Sequence, residues 1–442
     1  MSVMFSQELP IYTALVLLVL PLYYLYSKAS RRSKKPAVLP TNWPILRMFP
    51  SFVANLHKMN DYFTLVLAKS GHNFRAHGPP GTGMRFFVTC DPANIRHIFT
   101  TNYTNFPKGA EFAAIFDIMS GGIFTIDGEP ACRQRTKIKS VLSSPRLVAR
   151  IEAWSRDKVE NNLLLLFTHM ASTSTSFNMQ ELMSRLMFDL ASMPLFGVDP
   201  GLLSLDMPPM EAAVAMDTVM EVAYFRVVVP ASCWKLMRRL NIGPERKLEA
   251  AHKVLRGFVM EMMERRKIDT SSVVAAHPDA MVIFEPDETK SLVYLRAVLY
   301  ETLRLYPPAP LERKMVAAND ILPSGHEVHA GDTILISLHS MGRMEGIWGK
   351  DCLNYNPDRW LSEDGNKLRY VPSHKFLAFN SGPRMCLGKD IAVMQMKTVI
   401  ASTFWNFDVE VMKGQCIEPK SSCILEMKNG LIVKLKKREM LH

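Results

Sequence analysis

Apolar residues recur at three- and four-residue spacing through much of the stretch from about residue 128 to residue 267. This spacing predicts helices, and residues 159–170 and 250–263 each pair an apolar face with a polar one, as core-packed helices do. Runs that are typical of strands, with alternating apolar residues or many β-branched ones, are short and lie towards the two ends of the chain, at residues 85–90 and 333–338. Residues 424–427 and 431–435 flank Asn429–Gly430, which predicts a hairpin. The pattern therefore predicts a mainly α fold of the α+β type with small peripheral β-sheets.

The N-terminus carries an uncharged stretch, residues 9–27, whose length as a helix is about 28 Å, close to the thickness of the hydrocarbon core. The basic residues Lys28, Arg31, Arg32, Lys34 and Lys35 follow it directly, whereas the other flank carries Glu8. A cleaved signal peptide would carry its charge on the opposite side, and a buried soluble helix is the third interpretation. We expect an uncleaved transmembrane helix with the body of the chain in the cytosol.

These features divide the chain into three predicted parts: a membrane anchor at residues 1–27, a basic and Pro-rich linker at residues 28–50, and one large domain at residues 51–442. With 48% hydrophobic and 21% charged residues, the 442-residue chain can bury a sizeable core, which excludes general disorder. The net charge of +11 is compatible with nucleic acid, a membrane surface or an acidic partner. Because five of the basic residues adjoin the predicted anchor and no groove-binding motif is found, we expect membrane lipid and no nucleic acid as partners.

The cysteines indicate neither disulfides nor zinc. Seven are scattered along the chain, and none forms a C-x-x-C pair. One of them, Cys386, lies in the run F-N-S-G-P-R-M-C-L-G at residues 379–388, directly before a helical pattern at residues 389–401. A cysteine at a helix N-terminus is stabilised as a thiolate, the form that binds iron, although a lone cysteine is more often an inert buried thiol. Gly382 and Gly388 would let the backbone pass close to a flat ligand, and Arg384 can pair with an acidic one.

This run resembles the haem-binding signature of the cytochrome P450 family, in which a cysteine thiolate holds the haem iron. Two further motifs agree in order and spacing. Glu301 and Arg304 are similar to the family's E-x-x-R, and residues 357–360, P-D-R-W, are similar to its P-x-R-W, whose Arg359 would complete a Glu–Arg–Arg network. The resemblance implies that Cys386 is the axial ligand of a haem iron.

The resemblance runs from the anchor to the C-terminal segment and is strongest to the plant clan of fatty-acid and alkane hydroxylases, which includes enzymes that couple alkaloid phenols. It implies a membrane-bound haem-thiolate monooxygenase that oxidises a hydrophobic substrate of the long-chain fatty acid or alkane type with O2. It further implies electrons from NADPH–cytochrome P450 reductase and a single-pass position in the endoplasmic reticulum membrane. Oxidative coupling of an aromatic alkaloid precursor and a catalytically silent relative are the alternatives.

The chain departs from the family in two places. Ala131 stands where the family motif W-x-x-x-R has tryptophan, and Arg135 is retained. We expect Arg135, Lys314 and Arg384 to neutralise the two haem carboxylates.

The second departure concerns the long I helix, which the family places across the distal face of the haem. The segment where it belongs, near residues 268–290, contains no Gly-x-Asp/Glu-Thr motif and is too short to hold that helix. Asp269-Thr270-Ser271 is the nearest string, and we interpret it as a surface turn. The I helix is therefore predicted to be missing, and the sequence names no catalytic residue on the distal side.

Overall fold

The computed structural model describes residues 39–268, 284, 288 and 291–438. The predicted anchor, residues 28–38 of the predicted linker and Asp269-Thr270-Ser271 lie outside these residues. Within the described part of the chain, every helix is too short or too polar to span a bilayer. Residues 43–50, inside the predicted linker, make a turn closed by hydrogen bonds between Trp43 and Arg47, and then begin the first helix.

The described residues form fifteen α-helices, joined in places by short 3-10 and π turns. They are α1 (Phe49–Ala54), α2 (Met59–Lys69), α3 (Pro92–Arg96), α4 (Gly109–Ile115), α5 (Gly128–Leu142), α6 (Pro145–Lys158), α7 (Leu165–Ser172), α8 (Met179–Phe196), α9 (Glu211–Val228), α10 (Ala231–Leu240), α11 (Gly243–Ile268), α12 (Val293–Leu305), α13 (Leu338–Met341), α14 (Glu345–Trp348) and α15 (Lys389–Asn406). The predicted helical stretch from residue 128 to 267 thus corresponds to helices α5 to α11.

Nine short strands form three sheets within the described part. They are β1 (Asn73–His77), β2 (Arg85–Thr89), β3 (Phe177–Asn178), β4 (Leu311–Met315), β5 (Asp320–Ile321), β6 (Glu327–Val328), β7 (Thr333–Ser337), β8 (Phe407–Val411) and β9 (Ile432–Lys437). The four-stranded sheet has the order β1-β2-β7-β4, with β2 parallel to β7 and the other pairs antiparallel. The second sheet has the order β3-β9-β8, and β5 pairs with β6. The mainly helical prediction with small sheets is confirmed.

The core is divided among several clusters. The four-stranded sheet packs against α2 and α13 through residues such as Leu67, Phe87 and Ile336. Helices α4, α9 and α11 share a second cluster, in which Phe112 and Phe116 face alanines and valines of α9. A third cluster joins the π turn Val159–Leu164 and helices α7 and α8 to strands β8 and β9. This arrangement places α4, α5, β4 and the segment before α15 around one region, which contains the predicted site.

The predicted C-terminal hairpin is wrong. Gly430 does adopt a left-handed φ of +68°, and a Cβ there would meet the Asn178 side chain at 2.3 Å. However, the strand that follows pairs with β8 and β3 and not with residues 424–427. The Asn178 carboxamide oxygen accepts a hydrogen bond from Leu431 N–H, so a contact distant in sequence directs β9 to a different partner. A turn motif alone does not contain that information.

Candidate functional site

Cys386 lies in a loop that is closed by its own backbone. The N–H of Cys386 donates a 2.7 Å hydrogen bond to the carbonyl of Phe379, and the N–H of Met385 donates to Gly382 at 3.0 Å. Helix α15 begins three residues after Cys386, and Gly388 at its N-cap position offers no side chain to the first N–H groups. The thiol is exposed, as expected for a ligand that has to reach another molecule. The structure therefore presents Cys386 at an uncapped helix N-terminus, where partial positive charge favours an anion.

The two loop glycines differ in what they accommodate. Gly382 has a φ of +58°, and a Cβ there would lie 2.1 Å from the carbonyl oxygen of Phe99, so this glycine lets the loop pack on the protein. Gly388 has no atom of the described residues within 4 Å of its Cβ position. Its open side leaves room for a flat group beside the loop, whereas the need for Gly382 is already explained by Phe99.

Two arginines tie the cysteine loop to the N-terminal part of α5. Arg135 donates a hydrogen bond to the carbonyl of Met385, the residue before Cys386. Arg384 donates to the carbonyl of Ile126 at 2.7 Å and to the carboxylate of Asp127 at 2.6 Å. The sequence predicts that Arg384 pairs with an acidic ligand. In the structure the carboxylate of Asp127 already supplies part of that pairing. Ala131, at the position of the family tryptophan, is buried on the same helix one turn before Arg135.

Lys314 extends from β4 into the same region and is almost fully buried. Its Nζ atom lies 3.6 Å from Glu312 Oε1, which is reached because alternate residues of a strand share a face. A second buried lysine, Lys108, lies 3.9 Å from the same oxygen. Burial lowers the pKa of Lys314 to about 8 and also lowers the pKa of Lys108, although Glu312 acts in the opposite direction.

The charges of this cluster do not balance. Four cationic side chains converge there, and their electrostatic neighbours include two carboxylates, those of Asp127 and Glu312. The four cations are Lys108, Arg135, Lys314 and Arg384. Glu312 Oε1 is buried and makes no hydrogen bond within the described residues. Lys108 and Lys314 are buried, whereas Arg135 and Arg384 are partly exposed. This concentration of positive charge favours an anion, and haem carries two carboxylates. The residues present therefore fit a haem with its propionates in this cluster.

Sequence reasoning did not identify Lys108 or Asp127. Lys108 belongs to no motif, and it reaches the cluster because residues 105–107 run beside the end of β4, where Met315 N–H donates to the carbonyl of Pro107 at 2.8 Å. Asp127 precedes α5 and looks like an ordinary N-cap, yet its carboxylate makes no capping bond to that helix. In both cases the contact is set by the tertiary fold.

Beneath the cysteine loop lies the predicted Glu–Arg–Arg network. The carboxylate of Glu301, on α12, is fully buried and accepts two hydrogen bonds of 2.7 Å from Arg304 and one of 3.0 Å from Arg359. Trp360 Nε1 donates to the same carboxylate at 2.9 Å, and Asn356 N–H donates at 2.8 Å. The network that the motifs predict is present.

Aromatic rings connect this network to the loop. The ring of Trp360 lies 4.7 Å from that of Phe376, measured between centroids, and Phe376 lies 5.3 Å from Tyr300. Tyr300 is in turn 6.5 Å from Phe379, whose carbonyl accepts the hydrogen bond of Cys386. Through these contacts the buried charges can fix the position of the cysteine loop.

The chain was compared with known proteins. The sequence model described as Cytochrome P450 matches two stretches, residues 38–285 and 283–435, which meet at residues 283–285. Noroxomaritidine synthase 1 of Narcissus pseudonarcissus is 32% identical over 484 positions, covering 93% of this chain and 94% of the relative. Alkane hydroxylase MAH1 of Arabidopsis thaliana is 33% identical over 473 positions, covering 92% and 95%. Cytochrome P450 86B1, also of Arabidopsis thaliana, is 32% identical over 491 positions, covering 92% and 87%.

Each of these alignments is longer than the 442-residue chain, so the relatives contain residues that have no counterpart here. Helix α11 ends at Ile268 and α12 begins at Val293, and most residues between them lie outside the described part. The family match covers most of the chain, and the family is one of monooxygenases that use haem iron with a thiolate ligand. The chain belongs to the cytochrome P450 family.

Proposed function

We propose that the thiolate of Cys386 would bind the haem iron, and that Lys108, Arg135, Lys314 and Arg384 would hold the two propionates. The observation that carries this proposal is the juxtaposition of an exposed cysteine at an uncapped helix N-terminus with a cluster of four cations, of which Lys108 and Lys314 are buried. A bound haem would supply O2 activation and one-electron chemistry, and Cys386 would hold its iron as a negatively charged thiolate.

The substrate is a hydrophobic molecule of the long-chain fatty acid or alkane type. Apolar rings border the cationic cluster: the Nζ atom of Lys108 lies 4.3 Å from the centroid of Phe112 and 4.0 Å from that of Phe124. Phe116 packs against both rings, at 4.8 Å and 5.4 Å between centroids. Phe112 and Phe116 are buried against α9, and the exposed ring of Phe124 that they support would contact an apolar chain. Similarity to alkane hydroxylase MAH1 supports this substrate class.

Oxidative phenol coupling is the second candidate, because noroxomaritidine synthase 1 is about as similar to the chain as the alkane hydroxylase is. An aromatic precursor would also pack against the exposed ring of Phe124. The two candidates differ in their product: a hydroxylated chain contains one oxygen atom from O2, whereas a coupled phenol has lost two hydrogen atoms and gained no oxygen.

The electrons come from NADPH through a membrane-bound reductase, and the chain is anchored in the endoplasmic reticulum membrane by residues 1–27 with its catalytic domain in the cytosol. The basic residues at positions 28–35 support this orientation.

A carbon-monoxide difference spectrum of the reduced full-length chain tests the haem assignment. A thiolate-type Soret band supports it, and a chain that takes up no haem under reconstitution would make the silent relative the correct interpretation. Incubation with reductase, NADPH and 18O2 then separates the substrate classes by mass spectrometry. Label in an aliphatic product supports hydroxylation, and an unlabelled coupled phenol supports the second candidate.

A further inference from the structure

Asp127 stands at a junction of three structural elements. It is the last residue before α5, but its carboxylate turns away from that helix and makes no capping bond to it. Instead, Oδ1 accepts a hydrogen bond from Lys108 N–H at 3.0 Å and Oδ2 accepts one from Gly109 N–H at 2.8 Å, at the start of α4. Oδ1 also accepts the 2.6 Å hydrogen bond from Arg384 in the cysteine loop. One carboxylate thus joins the start of α4, the start of α5 and the loop of Cys386.

We propose that Asp127 is a positioning residue for the cofactor site: it holds Arg384, and through it the Cys386 loop, in register with the segment that carries Lys108. The inference rests on the proposed function of Cys386 and its cationic cluster. Asp127 itself does not touch the cofactor in this proposal and acts through Arg384 and Lys108.

The charge distribution supports this function for a carboxylate. Arg384 and Lys108 are both cations, and they repel each other as well as Arg135 and Lys314. A negative group placed between the loop and the α4 segment offsets that repulsion while the anionic ligand is absent. The guanidinium of Arg384 is charged, and the N–H groups of Lys108 and Gly109 lie at the start of α4. Both features make these hydrogen bonds stronger to a carboxylate than to a neutral oxygen.

The geometry excludes an equivalent neutral replacement. Asparagine in place of Asp127 has one acceptor oxygen and one NH2 group, whereas all three partners are donors. The NH2 group would therefore face either Gly109 N–H, or both Lys108 N–H and Arg384. Asp127→Asn removes the charge and one acceptor and keeps the size of the side chain.

Hydrogen exchange in the full-length chain provides a test that does not require bound cofactor. In Asp127→Asn we expect amides of two segments to exchange about tenfold faster or more: residues 108–110, and the non-proline residues of the loop 379–388, where Cys386 N–H is bonded to Phe379. If Asp127 merely capped α4, exchange would rise at residues 108–110 alone, and that result would overturn the proposal.

A matched control is Asp91→Asn, because Asp91 is also a helix-start aspartate and its carboxylate accepts a 2.8 Å hydrogen bond from Ala93 N–H. This change should leave exchange in the cysteine loop as it is. In addition, Asp127→Asn should have no further effect on loop exchange when Arg384 is already replaced by Gln. An effect of equal size in that background would show that Asp127 does not act through Arg384.

A haem titration followed by tryptophan quenching adds a second readout. Asp127→Asn should weaken haem binding at least severalfold, and the reduced carbon-monoxide complex should contain more of the form that has lost its thiolate ligand. If the unchanged chain took up no haem, the proposed function would fail and the exchange result would still decide whether Asp127 couples the two segments. Unchanged loop exchange together with normal haem binding in Asp127→Asn would overturn the positioning proposal alone.

Discussion

The guanidinium of Arg304 donates two hydrogen bonds of 2.7 Å to the carboxylate of Glu301, and both side chains are completely buried. The rest of the guanidinium donates to backbone carbonyls of the segment that leads to Trp360, among them that of Cys352 at 2.7 Å. The pair therefore connects α12 to the irregular segment beneath the cysteine loop. A buried ion pair adds little to stability compared with apolar packing, but it is expensive to break once it has formed.

Glu301→Gln should destabilise the chain by about 3–5 kcal/mol, because it leaves Arg304 buried with an uncompensated charge. Burial alone raises the pKa of Glu301, but hydrogen bonds from Arg304, Asn356 N–H, Trp360 and Arg359 hold it below its usual value of 4.5. The stability from this carboxylate is thus fully present above pH 4.5 and is lost as the pH falls through the lowered pKa. Urea unfolding at neutral pH and at successively lower pH values below 4.5 measures both effects.

The exposed Glu363→Gln is a suitable control, since Glu363 lies on the surface of a turn. It should change the unfolding free energy by less than about 0.5 kcal/mol. Equal stability and an equal pH profile for the Glu301 and Glu363 variants would contradict the importance of the network.

Cys386→Ser should abolish the thiolate-type spectrum, because a neutral hydroxyl cannot replace an anionic, soft ligand of iron. The measurement is the carbon-monoxide difference spectrum of the reduced chain. Cys416→Ser, at another exposed cysteine, should leave the spectrum as it is. A Soret band that stays at the same position in Cys386→Ser would show that another residue is the ligand.

Much of the site could be predicted because its parts are local in sequence. The cysteine loop, the i,i+3 pair of Glu301 and Arg304, and the P-D-R-W run each carry their information within ten residues, and the structure contains the network that the last two predict. Lys314 also belongs to the same short region as Glu312, since both lie on one face of β4.

The parts that could not be predicted depend on contacts distant in sequence. Lys108 reaches Glu312 across more than two hundred residues because residues 105–107 lie along β4. Asp127 bonds to α4 and to Arg384 instead of its own helix. The partner of β9 is likewise chosen by β8 and β3 and not by the turn at Gly430. The spacing of residues along the sequence does not specify these long-range contacts, because they depend on how the whole chain packs.

Haem affinity should decrease above about pH 8, because burial lowers the pKa of Lys314 to about 8 in the chain without ligand. Below that pH the lysine is charged and attracts a propionate. Above it, binding requires the uptake of a proton, which weakens binding by up to about tenfold for each pH unit until the pKa of the bound form is reached. Haem titrations at about pH 7 and about pH 9.5 measure the change.

Lys314→Arg should remove most of this pH dependence, since a guanidinium stays protonated throughout the range. Lys314→Met should bind haem weakly at both pH values, whereas Lys137→Met, at an exposed lysine of α5, should behave like the unchanged chain. If Lys314→Arg kept the full pH dependence, another group in the site would be responsible for it.

The proposed membrane topology predicts that protease added to intact microsomes digests residues 51–442. Deletion of residues 1–27 should release the chain only partly, because the basic cluster at residues 28–35 still favours an anionic lipid surface. Release should become complete at high salt, which screens that attraction. Protection of the body from protease in intact vesicles would reverse the orientation.

The last prediction concerns the I helix, which we expect to be missing between α11 and α12. In the cytochrome P450 family the I helix crosses the distal face of the haem and packs against many core side chains. A single large-to-small core substitution costs about 2–5 kcal/mol, and a whole domain is stable by only about 5–15 kcal/mol, so the chain should be marginally stable. We therefore expect weak haem occupancy, little NADPH-dependent turnover and O2 consumption that exceeds product formation, since the sequence near residues 268–290 contains no Gly-x-Asp/Glu-Thr motif to supply an acid–alcohol pair for proton delivery. Insertion of the corresponding segment of alkane hydroxylase MAH1 between Ile268 and Val293 should restore the thiolate spectrum, whereas a glycine–serine insert of the same length should not. Efficient, coupled hydroxylation by the unchanged chain would contradict the prediction and would mean that residues between α11 and α12 cover the distal face without that helix.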